Sequence, residues 1–258
     1  MTSTPASPRP RQALITGASS GIGAAVARLL ANDGYEVHLA ARRRELLESE
    51  VHAIEAAGGK AHAVVLDVTD ADRTARQVVA LDEACGGLDL VIANAGVSAT
   101  VRPHKLDWPT AEHALRVNFM GAAATLLPLV PRMLARRRGH LVAISSVAAE
   151  IPLPVGAVYG ASKAGLSHLL LALGPALRAG GVQATVVHPG FVRTPLTAGA
   201  RFPMPFILDV EVAARIICRG IARQRAWVRF PWPMAVLLRL VRVVPRPVRE
   251  WFVRRWRL

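Results

Sequence analysis

Tyr159 and Lys163 are the two residues whose types and spacing most directly suggest chemistry. They lie four positions apart in a segment with helical patterning, so they would share one face of a helix. A phenol has a pKa of about 10, and a neighbouring ammonium group stabilises the phenolate and lowers that pKa. The chain has only two tyrosines, and arginine supplies nearly all of its basic residues. The pair is therefore a candidate acid/base site; the simpler alternative is a half-buried tyrosine beside a solvated lysine.

A glycine-rich stretch lies near the start of the chain. Residues 16–23 read T-G-A-S-S-G-I-G, between a short apolar run and a helix-patterned segment. A strand, a glycine turn and a helix N-terminus together favour a bound phosphate, because small residues let the backbone approach and free N–H groups attract negative charge. The spacing G-x-x-x-G-x-G differs from the commoner G-x-G-x-x-G. Taken alone, three nearby glycines can also be only a loop.

Apolar, β-branched segments alternate with helical patterns along the first 230 residues. We expect strands at 13–15, 36–41, 60–66, 88–93, 140–145, 183–188 and 226–230. We expect helices at 24–30, 43–57, 70–85, 110–138 with interruptions near Pro128 and Pro131, 158–178 and 209–223. This order predicts an α/β fold: a single Rossmann-type, doubly wound parallel sheet with helices on both faces. Ligands of such sheets bind beyond the carboxyl ends of the strands.

Polar and small residues stand where several of these strands should end. They are Asp67 and Val68 after the third strand, Asn94, Ala95 and Gly96 after the fourth, and Ser145 and Ser146 after the fifth. Because the carboxyl ends of parallel strands share one edge of the sheet, these residues are expected near the glycine turn.

These motifs together resemble the short-chain dehydrogenase/reductase family. The resemblance rests on T-G-A-S-S-G-I-G, N-A-G at 94–96, Asn118, Ser146, Y-G-A-S-K at 159–163 and H-P-G-F-V-R-T at 188–194. They follow the order and spacing of the family over roughly residues 12–200. The resemblance implies a Rossmann fold and an oxidoreductase that interconverts a carbonyl and an alcohol by hydride transfer.

The same resemblance implies a catalytic tetrad of Asn118, Ser146, Tyr159 and Lys163. Tyr159 would be the general acid/base, and Ser146 would hydrogen-bond the substrate oxygen. Lys163 would tune Tyr159 and hold the nicotinamide ribose, while Asn118 would hold a water in the proton relay. Ser145 is a weaker competitor for the role of Ser146, whose spacing from Tyr159 matches the family.

The cofactor would contact a larger set of residues along the chain. The set comprises Gly17, Ser19, Ser20, Gly21, Ile22, Gly23, Arg42, Arg43, Asp67, Val68, Asn94, Ala95, Gly96, Tyr159, Lys163, Pro189, Gly190, Val192 and Thr194.

The residues after the second strand bear on the choice of cofactor. An NAD enzyme usually carries an acidic residue there to bind the adenosine ribose 2′-OH. This chain has Ala41 followed by three arginines, and arginine binds a phosphate bidentately. We therefore expect NADP(H) to be preferred over NAD(H); the alternative is a solvated cluster at a helix start.

Composition narrows the remaining classes of protein. The 258 residues suit one α/β domain, and 52% of them are hydrophobic. We find no run of about 18 uncharged apolar residues and no signal peptide, so we expect a cytoplasmic protein without an ordinary transmembrane helix. Cys85 and Cys218 have no metal-ligand spacing, the histidines are scattered, and no metal site is expected.

Positive charge concentrates near the C-terminus. Thirteen arginines and three acidic residues lie between residues 201 and 258, which accounts for +10 of the net charge of +14. We divide the chain into a disordered N-terminus (1–11), a Rossmann-fold domain (12–230) and a basic, amphipathic, helical tail (231–258). Arginine and tryptophan around a short apolar helix are typical of a segment on an anionic membrane surface. A helix that closes the pocket or forms a subunit contact is the alternative, and no nucleic-acid-binding module accompanies the charge.

The sequence thus predicts an NADP(H)-dependent oxidoreductase with a small, hydrophobic carbonyl or alcohol substrate. If the tail binds lipid, the protein would be peripheral on the inner face of a membrane. The resemblance also implies a homodimer or homotetramer. The alternative from another class is a non-catalytic NADP(H)-binding sensor or scaffold at a membrane surface.

Overall fold

A single parallel sheet organises the computed structural model, which describes residues 9–152, 155–199, 203–234 and 236. Seven strands lie in the order 3-2-1-4-5-6-7. They are β1 (Arg11–Thr16), β2 (Tyr35–Ala41), β3 (Lys60–Val65), β4 (Leu90–Ala93), β5 (His140–Ile144), β6 (Gln183–Pro189) and β7 (Trp227–Phe230). The order reverses between β1 and β4, where Ala13 pairs with Leu90 and Ile15 with Ile92. The predicted Rossmann-type fold is confirmed, and ligands of such folds generally bind in a crevice at this reversal.

Helices cover both faces of the sheet. They are α1 (Gly21–Asn32), α2 (Arg44–Ala56), α3 (Ala71–Ala84), α4 (Trp108–Leu115), α5 (Ala122–Leu126), α6 (Val130–Ala135), α7 (Ala157–Ala179) and α8 (Val210–Ala222). Alternate strand residues face opposite layers: Ile15 joins the apolar layer that includes residues of α1 and α8, and Leu14 joins the layer that includes residues of α7. The central strands are therefore buried on both faces, which explains their continuous apolar sequence.

The segment from α4 to α6 is more irregular than its sequence pattern predicts. A 3₁₀ turn at Leu127–Leu129 matches the expected interruption near Pro128. A π-helical turn at Arg116–Gly121 was not expected, and it contains Asn118. Among the described residues, this segment alone is long and apolar enough to cross a membrane, by length and composition only. Leu126, Leu129 and Met133 are at most 1% exposed, so its apolar face belongs to the core of the fold.

A buried carboxylate ties α3 to α6 and to the start of β4. Asp82 is 1% exposed and accepts hydrogen bonds from Arg132 Nε at 2.7 Å, from both terminal nitrogens of Arg136 at 2.8 and 2.9 Å, and from the Leu88 N–H at 2.8 Å. Burial acts to raise the pKa of Asp82, but these hydrogen bonds hold it below its usual range. The charge is therefore fully compensated by its partners.

The predicted tail falls almost entirely outside the part of the chain that the structure describes. Trp232 and Met234 are helical residues after β7, and the side chain of Trp232 is exposed. The arginines at 239, 242, 246 and 249 and the N-terminal residues 1–8 lie outside the described residues. The expectations for these segments therefore stay predictions.

Candidate active site

The glycine turn connects β1 to α1 at the carboxyl edge of the sheet. Gly17 has φ +67°, and a Cβ atom there would lie 2.8 Å from the Cα of Ala95. A Cβ on Gly23 would lie 2.5 Å from the Gly17 carbonyl oxygen. Helix α1 begins at Gly21 without a side-chain hydrogen bond from Ser20 to its first turn. The turn therefore has the compactness, and the helix the uncapped N–H groups, that an anionic phosphate group needs.

Asn94 joins the ends of β1 and β4 beneath this turn. Its side-chain nitrogen donates to the carbonyl oxygens of Thr16 at 2.9 Å and Gly17 at 3.2 Å. In return, the Thr16 hydroxyl oxygen accepts from the N–H groups of Asn94 at 3.1 Å and Ala95 at 3.2 Å. These bonds hold the glycine turn against the 94–96 segment at the reversal of strand order.

Two arginines follow β2 near the glycine turn. The Arg43 guanidinium donates to the Ser19 hydroxyl at 3.1 Å and lies 3.4 Å from that of Ser20. Asp67 accepts from the Thr69 N–H and hydroxyl at 3.0 and 2.9 Å. Burial raises the pKa of Asp67, but these bonds and the nearby Arg42 charge lower it by more. Positive charge thus lies both at the glycine turn and beside the end of β3.

Tyr159 and Lys163 both lie on α7, as their spacing predicts. Lys163 is 4% exposed; its Nζ donates to the Ile144 carbonyl at 2.8 Å and lies 6.0 Å from the centre of the Tyr159 ring. Burial lowers the pKa of Lys163 to about 8. Burial also raises the pKa of Tyr159, opposed by a hydrogen bond with Ser146. This direction is opposite to the expectation from sequence, because at this distance desolvation of the phenolate outweighs the ammonium charge.

The two candidate serines have different surroundings. Ser146 follows β5, and its interaction with the Tyr159 phenol opposes the rise in the pKa of that phenol. The Ser145 hydroxyl lies inside the fold, where it donates to the Lys163 carbonyl at 2.9 Å and contacts Ser167 Oγ at 2.7 Å. Ser146 is therefore the serine whose hydroxyl adjoins the tyrosine.

Asn118 lies close to Lys163 but points its amide at the main chain. Its side-chain oxygen accepts from the Val97 N–H at 2.8 Å, and its nitrogen donates to the Val97 carbonyl at 3.0 Å. A Cβ on Gly96 would be 3.2 Å from the Asn118 oxygen and 3.5 Å from Lys163 Nζ. The π-helical turn therefore places Asn118 near Lys163, with only Gly96 between their side chains.

The segment after β6 closes the other side of the crevice. The Gly190 N–H donates to the Phe230 carbonyl of β7 at 2.7 Å, and Val192 forms a bridge with Leu208. The side chain of Thr194 contacts the glycine turn, since a Cβ on Gly21 would lie 3.2 Å from its methyl carbon. Thr194 of this segment therefore lies against the glycine turn.

Sequence reasoning missed a buried polar chain behind this site. It did not single out Glu150, Ser167 or Arg229, and it used His188 only as part of a motif. In the structure, Glu150 contacts His188 at 2.6 Å and Arg229 at 2.7 Å. These residues are far apart in sequence, so no local pattern could have identified them. Among the described residues, no group of three side chains could hold a metal ion.

Comparisons with known proteins agree with this geometry. A family model described as short chain dehydrogenase matches residues 11–203. An uncharacterized oxidoreductase of Myxococcus xanthus is 44% identical over 247 residues, which cover 96% of this chain and 98% of the relative.

Two solved structures extend the comparison to bound cofactors. A short-chain dehydrogenase from Sphingobium yanoikuyae in complex with NADPH has a TM-score of 0.80 and 25% identity, covering 92% of this chain and 97% of that one. A short chain dehydrogenase/reductase from Burkholderia phymatum in complex with NAD has a TM-score of 0.82 and 26% identity, covering 90% and 93%.

Proposed function

Because this chain belongs to the short-chain dehydrogenase/reductase family, we propose that it is an NADP(H)-dependent oxidoreductase that interconverts a carbonyl and an alcohol. The observation that carries the proposal is that Tyr159 lies beside the buried Lys163, whose Nζ is 6.0 Å from the centre of the tyrosine ring, with Ser146 next to the phenol at the same edge of the sheet as the glycine turn. A sensor would need the glycine turn but has no use for this pair.

The residues of the crevice fit a dinucleotide. The glycine turn, which packs so closely that a Cβ on Gly17 or Gly23 would clash with neighbouring protein atoms, and the uncapped start of α1 would together hold the pyrophosphate. We assign Arg42 and Arg43 to the 2′-phosphate, and Asp67 and Val68 to the adenine. Lys163 and the 189–194 segment are assigned to the nicotinamide end. When bound, the nicotinamide cofactor supplies or accepts the hydride.

Tyr159 is the residue that we propose moves the proton. In the reductive direction its hydroxyl donates a proton to the substrate oxygen, while the Ser146 hydroxyl hydrogen-bonds the same oxygen and positions it. Since burial raises the pKa of Tyr159, the phenol keeps its proton at neutral pH. The protonated phenol is the form that can donate to a carbonyl oxygen.

Lys163 and Asn118 are proposed to support that proton transfer. With a pKa of about 8, Lys163 is mostly charged at pH 7 and attracts electron density on the phenol oxygen as the proton leaves. We assign Asn118 to hold the water that returns a proton to Tyr159 after the transfer. Its buried amide is fixed by Val97, and only Gly96 lies between it and Lys163 Nζ.

We propose a small, hydrophobic substrate. Large apolar side chains are exposed on the segments that follow β6 and β7: Leu196 is 46% exposed, Phe206 50% and Trp232 76%. Such an apolar surface suits a hydrophobic carbonyl or alcohol. Attachment of the arginine-rich tail to an anionic membrane, on the inner face, remains a proposal from sequence. A homodimer or homotetramer is also proposed, with the exposed Met120 and Leu127 as candidate contacts.

The test is NADPH oxidation with carbonyl compounds of increasing hydrophobicity, with and without anionic liposomes. Tyr159→Phe should bind NADPH within about twofold of the wild type and lose turnover by at least about 100-fold, the range expected for a general acid. Tyr35→Phe is the matched control, because Tyr35 is the only other tyrosine and begins β2, where it stacks with Arg11 at 4.1 Å.

Each result decides between the two classes of function. Loss of turnover in Tyr159→Phe alone would support the enzyme. Tight NADPH binding without turnover of any carbonyl or alcohol by the wild type would instead support the sensor or scaffold. Turnover retained by Tyr159→Phe would refute the assigned role of the tyrosine.

A further inference from the structure

Glu150 occupies an unusual position for a carboxylate. It follows a 3₁₀ turn, Val147–Ala149, that begins directly after Ser146, and its side chain is only 6% exposed. One of its oxygens, Oε1, lies 2.6 Å from His188 Nδ1 and 2.7 Å from Arg229 Nε. Burial acts to raise the pKa of Glu150, but these two partners lower it by more. The carboxylate is therefore charged, buried and held by two other strands.

The three partners belong to three segments that approach the substrate side of the crevice. Glu150 belongs to the loop after β5, which carries Ser146. His188 is on β6 and immediately precedes Pro189 and Gly190. Arg229 is on β7 and lies 3.7 Å from the centre of the Trp227 ring. One carboxylate thus links the carboxyl ends of β5, β6 and β7.

A series of hydrogen bonds continues from His188 to α7, the helix that carries Tyr159 and Lys163. With Nδ1 directed at the carboxylate, Nε2 faces the Ser167 hydroxyl at 2.9 Å. Ser167 contacts Ser145 at 2.7 Å, and both hydroxyls lie within 2.9 Å of the Lys163 carbonyl oxygen. Ser167, Ser145 and His188 are at most 6% exposed, so water does not compete for these bonds.

The hydrogen bonds end at Ser145 and Lys163, next to the residues proposed to transfer the proton. The backbone of Lys163 is bonded to Ser145, whose neighbours in sequence are Ile144, the acceptor for Lys163 Nζ, and Ser146. The 3₁₀ turn that ends at Glu150 also packs on α7, since a Cβ on Gly160 would lie 3.0 Å from the Ala148 carbonyl oxygen. Glu150 therefore acts on the Ser146–Tyr159–Lys163 geometry from both the loop and the helix.

We propose that Glu150, acting through His188 and Ser167, is a positioning residue that holds Ser146 and Lys163 in register with Tyr159. The inference rests on the proposed function of that site. Glu150 touches no reacting atom; it fixes the imidazole ring, and the ring orients the serine pair on the Lys163 carbonyl. Among the described residues, no hydrogen bond joins Glu150, His188 or Ser167 to the glycine turn, so the contacts assigned to the pyrophosphate and adenosine end do not depend on them. Loss of this Glu150–His188–Ser167 clamp therefore lowers turnover far more than it lowers NADPH affinity.

The experiment compares Glu150→Gln with Glu50→Gln. Glu50 is a matched control because its carboxylate also receives an arginine, Arg28 at 2.6 Å, but on α2 and away from the crevice. Turnover is divided by the number of NADPH-binding sites, so unfolded protein does not count as inactive enzyme. We expect kcat to fall at least about tenfold in Glu150→Gln, with the dissociation constant for NADPH within about twofold, because a misplaced catalytic group costs rate more than affinity.

Ser167→Ala provides a second variant that keeps the charge cluster. It removes the link between His188 and the Lys163 carbonyl, and alanine suits the interior of α7. We expect kcat to fall at least about fivefold without a change in NADPH affinity. Proton NMR adds a signature: the His188 Nδ1–H should resonate far downfield in the wild type and Ser167→Ala, and shift upfield in Glu150→Gln.

The outcomes separate this inference from the function on which it rests. Wild-type protein that binds NADPH but turns over no carbonyl or alcohol would overturn the proposed function and the inference with it. An active wild type, with per-site kcat unchanged in Glu150→Gln, would overturn the inference alone. If Glu150→Gln does not fold, Ser167→Ala decides: unchanged kcat refutes the clamp, and reduced kcat with intact NADPH binding supports it.

Discussion

Arg43 provides the sharpest test of cofactor choice. Its guanidinium lies 3.1 Å from Ser19 Oγ at the glycine turn, where we assign the 2′-phosphate of NADP(H). Arg43→Ala removes the charge from the turn and leaves the glycines in place. The neighbouring Arg44 provides the matched control, because its guanidinium is exposed and directed at Glu48, 3.4 Å away on the same helix.

The size of the effect follows from the chemistry of the lost contact. A hydrogen bond to a charged group contributes about 1.5–3 kcal/mol. Each 1.4 kcal/mol corresponds to about a factor of ten in affinity, so the loss is about 10- to 150-fold. Because Arg43 is exposed, solvent and salt screen its charge, and we expect the lower end of this range. NADH lacks the 2′-phosphate and should lose less than about twofold.

The assay measures kcat/KM and the dissociation constant for NADPH and NADH in the wild type, Arg43→Ala and Arg44→Ala, at low and high ionic strength. The ratio of NADPH to NADH affinity should fall about tenfold in Arg43→Ala, remain unchanged in Arg44→Ala, and respond less to mutation at high salt. Equal weakening of both cofactors would show that Arg43 only supports the turn. A wild type that prefers NADH would refute the assignment of NADP(H).

Two further sets of variants test the glycine turn as a phosphate cradle and the buried Asp82 of the core. Gly17→Ala should abolish NADPH binding measurable by calorimetry, because the new Cβ would clash with the Cα of Ala95 at 2.8 Å. Gly34→Ala is the control: Gly34 also has a positive φ of +80°, but a Cβ there would meet no atom within 4 Å. We expect Gly34→Ala to cost only about 1–2 kcal/mol of stability and to leave binding unchanged. If Gly17→Ala still binds NADPH, the assignment of the glycine turn to the cofactor phosphates is wrong. Asp82→Ala should lower the free energy of urea unfolding by about 1–3 kcal/mol, since the buried Leu88 N–H loses its acceptor while Arg132 and Arg136, 33% and 21% exposed, can bind water instead. Glu83 is 60% exposed, so Glu83→Ala should cost less than about 1 kcal/mol. Because the pKa of Asp82 is lower in the folded state, its charge stabilises the fold above the unfolded-state pKa of about 3.9, and this stabilisation is lost as the pH falls from there through the lower folded-state pKa. An acid-unfolding curve that is unchanged in Asp82→Asn would contradict this linkage.

The sheet was predictable because its signals are local. Each strand is a short apolar run bounded by turn residues, and burial on both faces requires such a run, as in β5 with all of its residues buried. The glycine turn was predictable for the same reason, since positive φ and close backbone contact restrict Gly17 to one residue type. The pairing of Tyr159 with Lys163 followed from helical spacing alone.

Other features depend on contacts that no local pattern records. The π-helical turn around Asn118 contains no proline, and the structure pairs it with Val97, which is 21 residues away. The raised pKa of Tyr159 depends on how deeply α7 packs. Glutamate usually lies at the surface of a protein. Glu150 is buried only because β6 and β7 bring His188 and Arg229 to its carboxylate.

The sequence by itself determined the order of strands and helices, the glycine cradle and the residue types available for proton transfer. These depend on periodicity, backbone freedom and side-chain chemistry, which act over a few neighbouring residues. Only the tertiary structure decided which serine faces the tyrosine, which arginine reaches the glycine turn and what holds Lys163 in place. Those outcomes depend on desolvation and on hydrogen bonds between distant segments, and both exist only once the sheet has brought the strand ends together.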